Sequence, residues 1–248
     1  MITAILVLFF TVVLSSFLVK AFPPHNNKWL KLALAFSGAY LFSITIIHLL
    51  PDMLLGSSKP HTVGYWVLGG FFLQLLLEQF SEGVEHGHIH LHKHDHAGPM
   101  PFLLLGSLFL HSFLEGSILI DNENRHLHQG HEQDNFYLVL MGVAIHHVPA
   151  AFALMSVLMS RLGSFNKAFM WLLIFAVGSP LGIIVSNTVL ASGPDSTLYN
   201  ALTGLVVGNF LHISTTILFE TSPDHHFNRN KLMATFLGLF LALVSNFI

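Results

Sequence analysis

The strongest constraint on this chain is a series of apolar runs, each about as long as a bilayer core is thick. Eight can be traced: Met1–Val19, Leu32–Leu50, Val63–Leu77, Phe102–Ile120, Phe136–Met159, Ala168–Ser192, Leu198–Phe219 and Leu232–Ile248. A crossing helix needs about 20 predominantly apolar residues. The third run is short unless it extends to Phe80. Barrel strands are about 10 residues of strict alternation, and these runs are longer and continuous. The first run lacks a basic leader and an A-x-A-like cleavage site, so it reads as an anchored span and not a signal peptide. The expectation is an all-α membrane protein, an eight-transmembrane-helix bundle forming one domain over residues 1–248 with no soluble module. Composition agrees, because only 9% of residues are charged, against about 25% in soluble proteins. A soluble domain, a disordered chain and a nucleic-acid binder are thereby excluded. The chain has no cysteine, which removes disulfides and thiolate metal sites.

Orientation follows the lysines and arginines. Lys20, Lys28, Lys31, Lys93, Arg161, Lys167, Arg229 and Lys231 fall in one set of loops, and only Lys59 and Arg125 in the other. Positive charge marks the cytoplasmic side. Both termini are then expected on the outer side, and the loop over residues 81–100 inside.

The chain has 18 histidines against 10 Lys and Arg, and some lie inside spans. Ionisable groups there cost several kcal/mol and are functional hypotheses by default. His111 and Glu115 share one face of the fourth span, a turn apart. His146 lies at a similar depth in the fifth, antiparallel span. Two imidazoles and a carboxylate suit a divalent cation of borderline softness. A proton relay, or a hydrogen-bonded His–Glu pair without metal, is the alternative. His147 reads either as a further ligand or as a helix–helix hydrogen-bonding residue. Gly178, Ser179, Pro180 and Gly182 are expected to interrupt the sixth span.

Several of these residues carry a family resemblance. His111-Ser112-Phe113-Leu114-Glu115-Gly116 resembles the fourth-helix H-x-x-x-E-G signature of the ZIP family of divalent-metal transporters. His146-His147-Val148-Pro149 resembles the start of the fifth-helix motif, and Ser179-Pro180-Leu181-Gly182 the sixth-helix E-P-L-G. His48-Leu49-Leu50-Pro51-Asp52 is similar to the end of helix two, and Gly208-Asn209-Phe210-Leu211-His212 to a segment of helix seven. The resemblance implies a single transmembrane transporter domain, not an enzyme, that takes a divalent metal into the cytosol. The metal is usually zinc, with Fe²⁺, Cd²⁺ and Mn²⁺ as other cargoes, and no catalytic cofactor is implied. It places the metal site between helices four and five, on His111, Glu115 and His146. The family's carboxylates at two further positions are Ala150 and Ser179 here, and its frequent Asn is Ser112. A second, adjacent metal site is then largely lost. The expected site is mononuclear, with His147 or Ser112 as additional contacts.

The loops extend the pattern. His86, His88, His90, His92, His94 and His96 alternate in the cytosolic loop, where they could buffer arriving ions. Asp121, Glu123, His126, His128, His131, Glu132 and Asp134 form an outer polar loop. His48 and Asp52 could mark the outer entrance, and His212 the cytosolic exit, followed by Asp224, His225 and His226. Glu78 and Glu220 read as interfacial. Expected partners are divalent metal ions, the bilayer and a second copy in a homodimer. The absence of any targeting extension suggests a bacterial inner membrane. Two other functions compete: a transporter-like metal sensor with reduced flux, and an intramembrane metalloenzyme with Glu115 as base.

Overall fold

The computed structural model describes residues 1–22, 28–84, 102–119, 132–190, 196–219 and 229–245. Their regular structure is helical throughout. The first run is α1 (Ile2–Ser16) and α2 (Leu18–Ala21). The second is α3 (Lys28–Ile44), a π-helical turn (Thr45–Leu49) and α4 (Leu50–Gly56). Then follow α5 (Pro60–Ser81), α6 (Phe102–Ser117), α7 (Glu132–Leu162), α8 (Phe165–Leu190), α9 (Ser196–Phe219) and α10 (Arg229–Ser245). Six stretches among the described residues are long and apolar enough to cross a bilayer: Ile2–Ala21, Lys28–Gly56, Pro60–Ser81, Phe136–Leu162, Phe165–Val189 and Thr197–Phe219. Helix α6 is a shorter apolar helix of 16 residues, about 24 Å at 1.5 Å per residue.

The distribution of side chains is that of a membrane protein. Leu14, Tyr65, Leu68, Phe72, Leu76, Met170, Phe236, Leu237 and Phe240 point outward, while His111, Ser112, Glu115, His146, His147, Ser179 and Asn209 are buried. In water such an outer face would be an unusually large exposed apolar patch. In lipid it is solvated, and the ionisable groups take the interior, where they can find partners.

Proline and glycine act locally. Pro51 has no N–H, so the regular i→i−4 ladder fails just before α4 and the backbone widens into the π-helical turn that carries His48. The proline within α8 behaves differently from expectation. Helix α8 runs through Pro180 without interruption, and α7 runs through Pro149. Neighbouring helices and side chains tolerate the lost donor at these positions. Gly163, at φ +62°, closes α7 with its N–H on the Met159 carbonyl at 2.9 Å. That left-handed residue lets α8 start two residues later.

The helices pack mainly in pairs: α5 with α9, α6 with α8, and α3 with α10, while α1 lies on α7 and α8. Each pair meets at glycines. In α5–α9, Gly70 lies on the Leu205 backbone, Gly204 on the Trp66 side chain and Gly208 on the Val67 carbonyl. In α6–α8, Gly116 lies on the Ser179 backbone and Gly182 on the Phe113 carbonyl. In α3–α10, Gly238 lies on the Phe36 carbonyl. Apolar helices gain nothing by leaving apolar lipid, so close backbone approach at small residues supplies the association. A side chain at Gly208 would meet backbone, which cannot rotate away. Gly208→Leu should therefore cost at least about 3 kcal/mol, the upper end of overpacking effects. Gly106 has no neighbour within 4 Å, so Gly106→Ala should be neutral or stabilising by up to about 1 kcal/mol. Thermal unfolding in detergent reads both, and an unchanged melt for Gly208→Leu would contradict this packing.

Candidate metal centre

Helix α6 presents His111 and Glu115 one turn apart, and α7 presents His146 and His147. All four are buried. His111, Glu115 and His146 each offer a ligand atom, and these atoms lie within 4.8 Å of one another. The His111 and His146 rings are 6.2 Å apart between centroids and nearly perpendicular. The three residues singled out in the sequence therefore converge.

Glu115 divides its two oxygens. Oε2 accepts the Nε2–H of His147 at 2.8 Å. Oε1 faces His111 Nε2 at 3.5 Å, too far for a charge-assisted hydrogen bond, which runs about 2.7–2.9 Å. Neither of those two facing atoms has a hydrogen-bond partner among the described residues. Zinc binds nitrogen and carboxylate oxygen at about 2.0–2.2 Å in a tetrahedron. Two donors on one such ion are about 3.4 Å apart by that geometry. The 3.5 Å separation is compatible with two atoms sharing a cation. His147 holds the carboxylate from behind and presents no ligand atom to the three-residue cluster.

Ser112 and Ser179 do something else. Ser179 Oγ–H donates to the Ser112 carbonyl at 2.7 Å, and its backbone N–H donates to Ser112 Oγ at 3.1 Å. Ser112 Oγ–H donates to the Phe175 carbonyl at 3.2 Å. The two hydroxyls are 2.9 Å apart. At the two motif positions where the resemblance has Asn and Glu, this chain thus knits α6 to α8. Ala150, the other missing carboxylate, is buried in apolar packing.

Helix α5 supplies Gln74, which the sequence reading did not single out, and shows a partner for Glu78. Gln74 is fully buried and its Oε1 lies 3.3 Å from His111 Nδ1. Glu78, one turn further on, accepts the Nε2–H of His212 on α9 at 2.7 Å, and Phe71 stacks edge-on against that imidazole. Glu78 is a partner of His212 and not merely interfacial. The i, i+4 spacing of Gln74 and Glu78 on an apolar helix was the available signal. Asn209 is buried with no hydrogen bond on either side-chain end among the described residues. His48 is partly buried on the π-helical turn and Asp52 is exposed on α4; both are outside the three-residue cluster. The segment His86–His96, the outer-loop residues from Asp121 to His131, and Glu220, Asp224, His225 and His226 lie outside the described residues.

If Ser112 serves helix packing, Ser112→Ala should lower stability by about 1–3 kcal/mol, the cost of leaving buried groups unsatisfied. Zinc affinity should change by less than about threefold, under 0.7 kcal/mol. Equilibrium zinc titration of the folded variant checks this, and a tenfold loss would make Ser112 a ligand.

Comparison with known proteins agrees with this geometry. The family model described as ZIP Zinc transporter matches residues 1–101 and 97–246. The zinc transporter ZupT of Chlorobium phaeovibrioides (strain DSM 265 / 1930) is 23% identical over 240 residues, covering 88% of this chain and 87% of that protein. Protein zntD of Dictyostelium discoideum is 27% identical over 144 residues, covering 56% of this chain. That match spans only 20% of zntD. With its buried His–Glu–His cluster and a match along nearly its whole length, this chain belongs to the ZIP zinc transporter family.

Proposed function

We propose that this integral membrane protein carries divalent metal ions, zinc foremost, into the cytosol through a single midplane site formed by His111, Glu115 and His146. The observation that carries this reading is the pair of facing, hydrogen-bond-free donors, His111 Nε2 and Glu115 Oε1, 3.5 Å apart in a buried three-residue cluster. The site is mononuclear, because Ser112 and Ser179 bind each other and Ala150 has no donor. Water completes the coordination shell. One carboxylate and two neutral imidazoles leave a bound 2+ ion with a net charge of about +1 in a low-dielectric interior. Binding is correspondingly moderate, which suits a site that must release its cargo. Two imidazoles favour zinc over Mn²⁺ or Ca²⁺, which prefer oxygen ligands.

In this reading eight helices span a bacterial inner membrane as one transport domain over residues 1–248, with both termini outside. Lysine and arginine bias supports that orientation. His48 and Asp52 lie at the outer entrance. His212, with Glu78, lies toward the exit, where the alternating histidines His86–His96 receive the ion. A low-flux sensor is the second reading, favoured by the serine latch and Ala150.

Zinc flux into liposomes containing the purified protein should fall at least about tenfold for His111→Ala and Glu115→Ala, equivalent to about 1.4 kcal/mol or more. Undiminished flux in either variant would overturn the assignment, and zinc binding without flux in the unaltered protein would favour the sensor. Ala150→Glu should tighten zinc binding by adding a second carboxylate beside the ion. An unaltered or weaker affinity would place Ala150 away from the ion.

A further inference from the structure

The buried pair His111–Glu115 has two competing ground states. With the proton on Nε2, the imidazole turns an N–H toward Glu115 Oε1, and a slight closing of the 3.5 Å gap would let the two groups satisfy each other without a metal. With the proton on Nδ1, Nε2 carries a lone pair that faces a carboxylate oxygen. Two acceptors then oppose each other 3.5 Å apart, an arrangement that only an added cation makes favourable. Which state holds depends on what Nδ1 touches, because the partner of one ring nitrogen sets the role of the other.

Gln74 occupies that position. With the amide oriented as it stands, its Oε1, an acceptor only, lies 3.3 Å from His111 Nδ1 and favours a proton there. The side chain is fully buried. Gln74 also comes from a different helix pair. Helix α5 is fixed against α9 by Gly70, Gly204 and Gly208, whereas His111 sits on α6, which is fixed against α8. The contact is thus not a by-product of local helix geometry within α6.

Building on the metal-site reading above, we infer that Gln74 is a positioning residue for metal binding: it holds the proton of His111 on Nδ1 and so keeps Nε2 available to the ion. It touches no cargo itself. Glu115, held on its other oxygen by His147, is then left to face a lone pair and not an N–H. The residue converts a pair that could share a proton into one that attracts a divalent cation.

The test compares the full-length protein in detergent with Gln74→Met, Gln74→Glu and His111→Ala. Gln74→Met keeps the side-chain length and removes the acceptor; Gln74→Glu keeps the acceptor. Zinc affinity is measured by chelator competition, and the tautomer of His111 by ¹⁵N chemical shifts in the metal-free protein, with His111→Ala identifying the resonance. Gln74→Met should weaken zinc binding about 10- to 100-fold, the usual effect of losing such an outer partner. It should also move the His111 proton from Nδ1 toward Nε2. Gln74→Glu should keep the proton on Nδ1 and bind zinc at least as tightly as the unaltered protein. A Gln74→Met protein with unchanged affinity or an unchanged tautomer overturns the inference. So does a Gln74→Glu protein that loses the Nδ1 proton, and this arm decides alone if Gln74→Met does not fold. Full zinc affinity in His111→Ala would instead overturn the underlying site, so the two failures are distinguishable.

Discussion

Everything in this molecule is arranged around one buried carboxylate. Glu115 sits with no exposure in an apolar helix bundle, where an ionised group without partners would be strongly disfavoured. Its charge is divided: one oxygen accepts from His147 at 2.8 Å, and the other faces His111. In the proposed function, a cationic cargo answers the unmet half of that charge. A second or third carboxylate would bind a 2+ ion more tightly, but would also leave the metal-free site with more charge to bury. This chain has taken the other course, with serine and alanine where further carboxylates would stand.

The cost of holding polar groups at depth falls on the packing. Helices α6 and α8 meet at Gly116 and Gly182 closely enough for Ser112 and Ser179 to exchange hydrogen bonds across the interface. Those bonds engage both hydroxyls in helix packing. The same close approach recurs between α5 and α9, where Glu78 meets His212. Small residues therefore position the chemistry. Where a glycine lets two backbones meet, polar side chains one turn away come within hydrogen-bond reach.

Much of this was legible in the sequence, for identifiable reasons. Apolar run length reflects bilayer thickness, so six of the spans reappear as helices long enough to cross, and α6 as a shorter apolar one. His111 and Glu115 are read by their i, i+4 spacing, which is intrinsic to a helix. The convergence of His146 followed from antiparallel spans of similar depth. Pro180 was misread, because a local rule about helix breaking takes no account of the neighbouring helices that accommodate a missing donor. Gln74 was passed over although its spacing from Glu78 marks a polar face on α5, because nothing within α5 says which helix that face meets. Glu78 looked interfacial for the same reason, since His212 lies far along the chain. The partners of a single ligand are set by helix pairing, and pairing is written in glycine contacts that a one-dimensional pattern does not resolve.

The central claim is that one ion is held by two imidazoles and one carboxylate. Zinc K-edge X-ray absorption, combined with a metal count, addresses it most directly on protein lacking residues 86–96. One zinc per chain is expected, bound by nitrogen and oxygen at about 2.0–2.2 Å, with the multiple-scattering signature of two imidazoles that falls to one in His146→Ala. Two zinc ions per chain with metal–metal scattering at about 3.5–4 Å, or an imidazole signature unchanged in His146→Ala, would contradict it.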